Sequence, residues 1–302
     1  MASLRSVLTG RPVVSVAMAT HNGERHLPEM LESLAAQTRP PDELVVRDDA
    51  SEDRTIAILH AFARRVPFRV EVIARGPRLG FAQNFVAAAD ACSGHMIFFA
   101  DQDDTWRPGK VATVAPLVRR RTPMAVFHDF GLQSEDGTPM APSVFSLLAA
   151  RGFGPSVAVN GCSMAVSRAF VDLWGWPPAD PPVSHDVWVA LLSTAFGQRR
   201  ILDDVLVDWR LHEGNASGWV ATAASRKFVR PTPETTDLEV MVDVLIKKKK
   251  APTWTGAFLD VLSERGERVD PVAADRLAQI LRANRRRHRT HRRPSREGSR
   301  PG

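Results

Sequence analysis

The residues best suited to chemistry crowd into Asp101-Gln102-Asp103-Asp104, where three carboxylates fall within four positions. They follow the apolar run Met96-Ile97-Phe98-Phe99-Ala100, which reads as a strand buried on both faces. Carboxylates gathered at the end of such a strand repel one another and lose hydration. A bound divalent cation relieves both penalties. A hard, oxygen-seeking ion such as Mg²⁺ or Mn²⁺ suits one or two carboxylates together with phosphate oxygens. Asp101 and Asp103 are spaced i, i+2, which puts them on one side of an extended segment. A solvated acidic turn has the same local pattern, so the surrounding elements carry the weight.

Those elements alternate. Val13 to Ala19 is apolar and β-branched, a first strand, and it ends in the polar turn Thr20-His21-Asn22-Gly23. Glu24 to Gln37 carries Leu27, Met30, Leu31 and Leu34 at helical spacing, broken by Arg39-Pro40-Pro41-Asp42. Glu43 to Arg47 is a second strand, closing on Asp48-Asp49-Ala50-Ser51. Asp53 to Arg65 is helical, Phe68 to Ile73 alternates as a third strand, and Phe81 to Cys92 is a further helix. This βαβ rhythm predicts a mostly parallel, Rossmann-like sheet flanked by helices. Ligands bind such sheets beyond the carboxyl ends of the strands. The clusters Thr20–Glu24, Asp48–Asp53 and Asp101–Asp104 all fall at that edge.

Past Trp106 the rhythm changes. Met124 to His128 reads as a short strand, Pro139 to Pro155 as loop, and Ser156 to Val166 as strand or extended chain before a helix over Arg168 to Trp174. Asp186 to Phe196 is a helix and Arg200 to Val207 a late strand. From Trp219 the chain is helix-prone. The boundaries expected are a catalytic domain over 1–218, a helical extension over 219–281 and an Arg-rich disordered tail over 282–302.

The chain has 302 residues, 44% hydrophobic and 25% charged, as in ordinary globular proteins. No stretch is apolar for long enough to span a bilayer, and the N-terminus lacks a signal-peptide core. Two cysteines, Cys92 and Cys162, form neither a CxxC pair nor a disulfide framework. A cytoplasmic protein is expected, with the inner face of the membrane as a peripheral option. The net charge of +6 belongs to the tail: residues 282–302 hold nine Arg and one Glu, leaving 31 basic and 33 acidic residues elsewhere. The folded part is therefore not built around nucleic acid. The tail could touch anionic lipid weakly, although solvated disorder is the default for such a run.

Several segments, in order, resemble family 2 glycosyltransferases of the GT-A fold. Val14 to Gly23 is similar to their opening strand and loop. Asp48-Asp49-Ala50-Ser51-Glu52-Asp53 resembles their D-D-x-S-x-D, and Leu79-Gly80-Phe81-Ala82-Gln83-Asn84-Phe85 their N-L-G-F-A-x-N-F. Asp101-Gln102-Asp103-Asp104-Thr105-Trp106 resembles their metal-binding D-x-D. Asn160-Gly161-Cys162-Ser163-Met164, His185-Asp186-Val187-Trp188 and Trp209-Arg210-Leu211-His212-Glu213-Gly214-Asn215 are similar to the G-C-x-M, H-D-x-W and Y-R-x-H-x-x-N segments of the rhamnosyltransferase-like branch. Trp209 stands where that branch has Tyr.

The resemblance implies an inverting, metal-dependent transfer of a sugar, rhamnose as the first choice, from a dTDP- or UDP-sugar to a glycan or lipid-linked glycan acceptor in cell-surface polysaccharide synthesis. Asp103, Asp101 and His212 would hold the metal. Thr20, Asn22, Glu24, Asp48, Asn84 and Arg210 would bind the donor, Arg210 as a bidentate clamp on the diphosphate. Asp186 would be the general base, with Gly161, Cys162, His185 and Trp188 on the acceptor side. Gly214, Asn215 and Gly218 would let the late loop close as a lid. Plainer roles compete: Ser51, Asp53 and Asp186 could cap helices, and Trp188 could pack the core. Three other readings are weaker. A serine hydrolase would use Gly161-x-Ser163-x-Ala165 but leaves the acidic cluster unexplained. A nucleotidyltransferase lacks its Gly-rich phosphate loop. A non-catalytic adaptor would bind membranes or nucleic acid through the tail alone.

Overall fold

A computed structural model of the protein describes residues 11–74, 76–180, 183–215, 236–246 and 251–290. Strand β1 (Val14–Thr20) is buried along nearly its whole length, and β4 (Met96–Asp101) is buried up to Ala100. Two-sided burial of this kind selects unbroken apolar runs. Strands β2 (Glu43–Asp48) and β3 (Arg69–Ile73) pair in parallel outward from β1, and β4 pairs in parallel on its other side. Helices α1 (Leu27–Ala35), α2 (Thr55–Ala63) and α3 (Phe81–Ala91) make the crossovers. Helix α1 turns Leu27, Met30, Leu31 and Leu34 inward, the face its spacing predicts.

The full sheet has the order β3-β2-β1-β4-β8-β6-β9-β5. Here β5 is Thr105–Trp106, β6 is Ala125–Gln133, β8 is Met164–Ser167 and β9 is Arg199–Arg210; β7 (Pro139–Ala141) flanks β6. The strand β8 runs antiparallel to both β4 and β6, while β6 and β9 are parallel. Chain order reverses between β1 and β4, so a crevice opens at their carboxyl ends. Ala19 lies opposite Asp101, and Thr20 opposite Asp48, which brings the three polar clusters level.

Several elements differ from expectation. Strand β6 continues to Gln133 because β8 and β9 cover it on both edges, burying even His128 and Asp129. The Pro139–Pro155 stretch contains β7 and a short helix α5 (Val144–Ala149), capped by Ser143 Oγ accepting from Ser146 N at 3.0 Å. Residues Ser156 to Ser163 form two 3₁₀ turns rather than a strand, the second capped by Asn160. Helix α4 (Lys110–Val114) follows β5, and α6 (Arg168–Trp174) and α7 (His185–Ala195) follow β8.

Beyond β9 the described residues form α8 (Asp237–Leu245), α9 (Ala251–Val261), a π turn (Leu262–Gly266) and α10 (Pro271–Thr290). They pack on α7, where Trp188 stacks on Phe258 with centroids 4.8 Å apart. Helix α10 carries the chain through residues 282–290, so this part of the expected tail is helical; 291–302, 216–235 and Lys247–Lys250 lie outside the described residues. Gly218 of the proposed lid is among these. Among the described residues no helix is long and apolar enough to cross a membrane.

Candidate active site

A cleft of about 310 Å³ lies at the carboxyl edge of β1 and β4, within the usual range for small-molecule sites. Of the residues anticipated from sequence, Thr20, Asn84, Asp101, Asp103 and Asp186 line it. His21, Asp49, Arg78, Phe81, Gln102, Asn160, Ser184 and Trp209 join them.

The first two loops are knitted together by their own polar groups. Asp48 is buried and spends its carboxylate inside, accepting from Thr20 Oγ1 at 2.7 Å, Ser51 N at 2.8 Å and Ser51 Oγ at 2.6 Å. It does not line the cleft; its neighbour Asp49 does. Asp49 accepts from the main-chain N–H groups of Leu79 (2.6 Å) and Gly80 (2.9 Å), fastening the start of α3. Asn22, in the left-handed region at φ 47°, turns its Oδ1 to Glu52 N (2.9 Å), and Glu24 accepts from Arg54 N (3.1 Å). Both therefore tie loop to loop and neither lines the cleft. Asn84 is buried; its Nδ2 donates to the Arg47 carbonyl at 2.9 Å, while its Oδ1 has no protein partner.

The acidic turn is held from below. Burial pushes the Asp101 carboxyl well above its ordinary range, and the charges of Asp104, Asp103 and Asp186 push it further. Asp104 is fully buried and raised to about 8, by burial first and Asp103 second. Beneath them Lys110 is buried over the Trp106 ring at 3.7 Å and donates to the Cys162 carbonyl; burial pulls its ammonium down to about 7.

Two donor sets compete for a cation. Ligand atoms of Asp101, Asp104 and Cys162 lie within 4.8 Å of one another. Burial holds the Cys162 thiol far above its usual range, and Lys110 already supplies positive charge there. A protonated thiol beside an ammonium is a poor site for a hard ion. Asp101 and Asp103, which open to the cleft, are carboxylate oxygens and fit one better. His212 Nε2 meets Asp103 Oδ2 at 2.7 Å, and this bond raises the His212 pKa.

The remaining anticipated residues sit elsewhere. Arg210 is 1% exposed and does not reach the cleft. Its Nε donates to the Asp103 carbonyl (2.9 Å), its Nη1 to the Glu135 carbonyl (2.9 Å) and its Nη2 to Glu29 Oε2 (2.6 Å). It is a strut under the acidic turn rather than a diphosphate clamp. Trp188 is core: it stacks on Phe258 and donates from Nε1 to the Gly175 carbonyl at 3.1 Å, so it offers no sugar-stacking face. His185 is fully buried against Phe85 and Phe99, at 4.7 and 4.8 Å between centroids, and neither ring nitrogen has a partner. Gly161 and Cys162 are buried beside it; a Cβ on Gly161 would stand 2.9 Å from His185 Nε2. These three back the cleft wall instead of forming it. Asp186 faces the cleft at the start of α7, its Oδ1 accepting from Ser184 Oγ and, at 2.7 Å, from Val187 N. Asp49, adjacent to the favoured Asp48, is one of the cleft residues that sequence reasoning passed over, with His21, Arg78 and Gln102. The D-D doublet held the signal, because neighbours at a strand end point opposite ways.

Comparison with known proteins bears on the fold and the family. A protein named as a teichuronic acid biosynthesis glycosyltransferase, TuaG of Bacillus subtilis, is 27% identical over 130 residues; the match covers 43% of this chain and 51% of that protein. Among solved structures, S. aureus TarS 1-349 in complex with UDP-GlcNAc superposes with TM-score 0.52 at 17% identity, covering 93% of each chain. The mannosyltransferase PcManGT from Pyrobaculum calidifontis, in complex with GDP-Man and Mn²⁺, gives 0.55 at 20% identity, covering 94% of this chain and 89% of that one. At these identities the structural matches speak to the fold, which is that of GT-A glycosyltransferases. The family model for glycosyl transferase family 2 matches residues 15–172, more than half the sequence, and the chain belongs to that family.

Proposed function

We propose that this glycosyltransferase is inverting and metal-dependent, and moves a sugar from a nucleoside diphosphate donor to a hydroxyl of a glycan or lipid-linked glycan in cell-surface polysaccharide assembly. The observation that carries this reading is that Asp186 and the carboxylates of Asp101 and Asp103 face one cleft at the switch point of the sheet. Asp103 and Asp101 would hold Mg²⁺ or Mn²⁺. When bound, that ion would neutralise charge developing on the departing diphosphate. Asn84 Oδ1, lacking a protein partner, is an acceptor for a donor hydroxyl. Asp186 takes the proton from the acceptor hydroxyl: Ser184 and Val187 occupy Oδ1, which leaves Oδ2 for the transfer.

The donors bound by the structural neighbours, UDP-GlcNAc and GDP-Man, support the class of donor. Within it, the resemblance of the H-D-x-W and G-C-x-M segments to the rhamnosyltransferase-like branch favours dTDP- or UDP-sugars, with dTDP-rhamnose the first to test. TuaG supports a cell-surface glycan as the product. Weak contact of residues 282–302 with anionic lipid is part of the same proposal, and liposome sedimentation with and without those residues tests it. The central test is thermal shift with UDP, dTDP and GDP, each with Mn²⁺ or with EDTA. A Mn²⁺-dependent shift by at least one diphosphate is expected; none from any of the three overturns the reading.

A further inference from the structure

We propose that Gln102 is a positioning residue that couples the cation end of the cleft to its nucleotide end. This inference rests on the reading above, that a nucleotide and a divalent ion share the cleft. Gln102 stands between Asp101 and Asp103, yet its side chain turns away from them toward the loop after β1. Its Oε1 accepts from the His21 N–H at 2.9 Å, and its Nε2 donates to the His21 carbonyl at 3.0 Å. One carboxamide thus satisfies both main-chain groups of a residue 81 positions away. The β1–β4 ladder ends where Ala19 faces Asp101, and the Gln102 amide continues it past that point in place of backbone.

Two neighbours fit this arrangement. A Cβ on Gly23 would stand 2.8 Å from Gln102 Cδ, so the first loop gives up a side chain where the carboxamide lies. His21 lines the cleft, and its Nδ1 is buried without a protein partner. The loop then passes the constraint on: Asn22 N donates to Ser51 Oγ at 2.8 Å, joining the second loop, which carries Asp49, and Gly23 N donates to Thr55 Oγ1 at 2.8 Å, at the first residue of α2. A ligand that orders residues 101–104 therefore orders His21 and the wall beyond it. The coupling is reciprocal, so nucleotide binding tightens the hold on the ion.

The test uses a nucleoside, because it has no phosphate to touch the ion and any coupling must pass through protein. The full chain is titrated with Mn²⁺, with uridine, thymidine or guanosine (matching whichever diphosphate binds), and with each in the presence of the other. In the wild type Mn²⁺ tightens nucleoside binding about 5-fold, the low end of ordinary coupling. Gln102→Met, of similar length but unable to hydrogen-bond, shows coupling below about 2-fold, read as the ratio of its own nucleoside affinities with and without Mn²⁺, so that a change in either affinity alone cancels. Gln102→Glu retains the acceptor for His21 N but opposes the His21 carbonyl, so it serves as a second variant of the same volume and loses coupling too. Unchanged coupling in both variants, or none in the wild type, overturns the inference even if the diphosphate and Mn²⁺ bind as proposed. Failure of every diphosphate to bind overturns the functional reading, and this one with it.

Discussion

Arg210 meets Asp103 through the main chain, donating from Nε to its carbonyl at 2.9 Å, while His212 two residues on meets the Asp103 carboxylate itself. Both residues thus converge on one aspartate. The arginine shapes the turn and the histidine bonds its side chain. The main-chain N–H of Arg210 also donates to Asp104 Oδ1 at 3.1 Å, so the end of β9 grips the acidic turn twice.

Arg210→Ala should therefore act mainly on stability. Its guanidinium is buried with three separate acceptors, and removing it strands the Glu135 and Asp103 carbonyls and unpairs Glu29. A loss of about 3 kcal/mol in urea unfolding is expected. Arg210→Lys recovers less than half, because one ammonium cannot span three divergent acceptors. Weaker nucleotide binding at unchanged stability would restore the clamp.

Lys110→Met removes the one ammonium buried beneath Asp101 and Asp104 among the described residues, and with it the bond to the Cys162 carbonyl. A loss of about 1–3 kcal/mol is expected in the metal-free protein, since the buried Cys162 carbonyl is left without its donor. Mn²⁺ should recover part of it in a thermal melt by neutralising Asp101. A variant as stable as wild type would contradict the counter-ion role.

Gly23→Ala and Gln102→Ala should be strongly non-additive. Alone, Gly23→Ala forces a Cβ against the carboxamide and costs about 1–3 kcal/mol. In the Gln102→Ala background that clash is gone, so the same substitution is nearly neutral. A double-mutant cycle in chemical denaturation measures the difference. Additive effects would mean that the loop shifts freely.

The buried histidines make stability fall in acid. Burial holds His128 well below its ordinary pKa, with the Lys110 charge adding to it, so the fold keeps it neutral. The unfolded chain protonates it at about 6.5. Stability is present above that pH and is lost as pH drops through it. Between pH 7.5 and 5.5 the wild type should lose about 1.4 kcal/mol more than His128→Asn, which cannot protonate. Asn keeps a donor near Nδ1, which bonds the Asp129 carbonyl at 2.7 Å. Equal slopes in the two proteins would place the proton uptake elsewhere.

Asp186→Asn should keep Mn²⁺-dependent nucleotide binding and slow transfer by about 10²–10⁴-fold. Full activity would remove Asp186 as base. Donor hydrolysis without acceptor separates this from a donor-binding defect.

Much of this protein could be read along the chain. The βαβ rhythm through residue 104, the unbroken apolar runs of β1 and β4, and polar clusters at strand ends are local patterns, and period and composition report local patterns faithfully. They placed Thr20, Asp101 and Asp103 near one edge, and the resemblance added Asp186. What local spacing could not supply was direction. Asp48 and Asp49 are equivalent in type, and only the Thr20 hydroxyl, brought in by the parallel pairing of β1 with β2, together with the Ser51 hydroxyl of the same loop, turns the first inward and leaves the second to the cleft. Arg210 and Trp188 look like ligand-contacting residues until partners distant in sequence, Glu29 for one and Phe258 for the other, draw them into the interior. Side-chain hydrogen bonds and stacking between remote segments decide which way a residue faces, and those exist only once the sheet has closed around them.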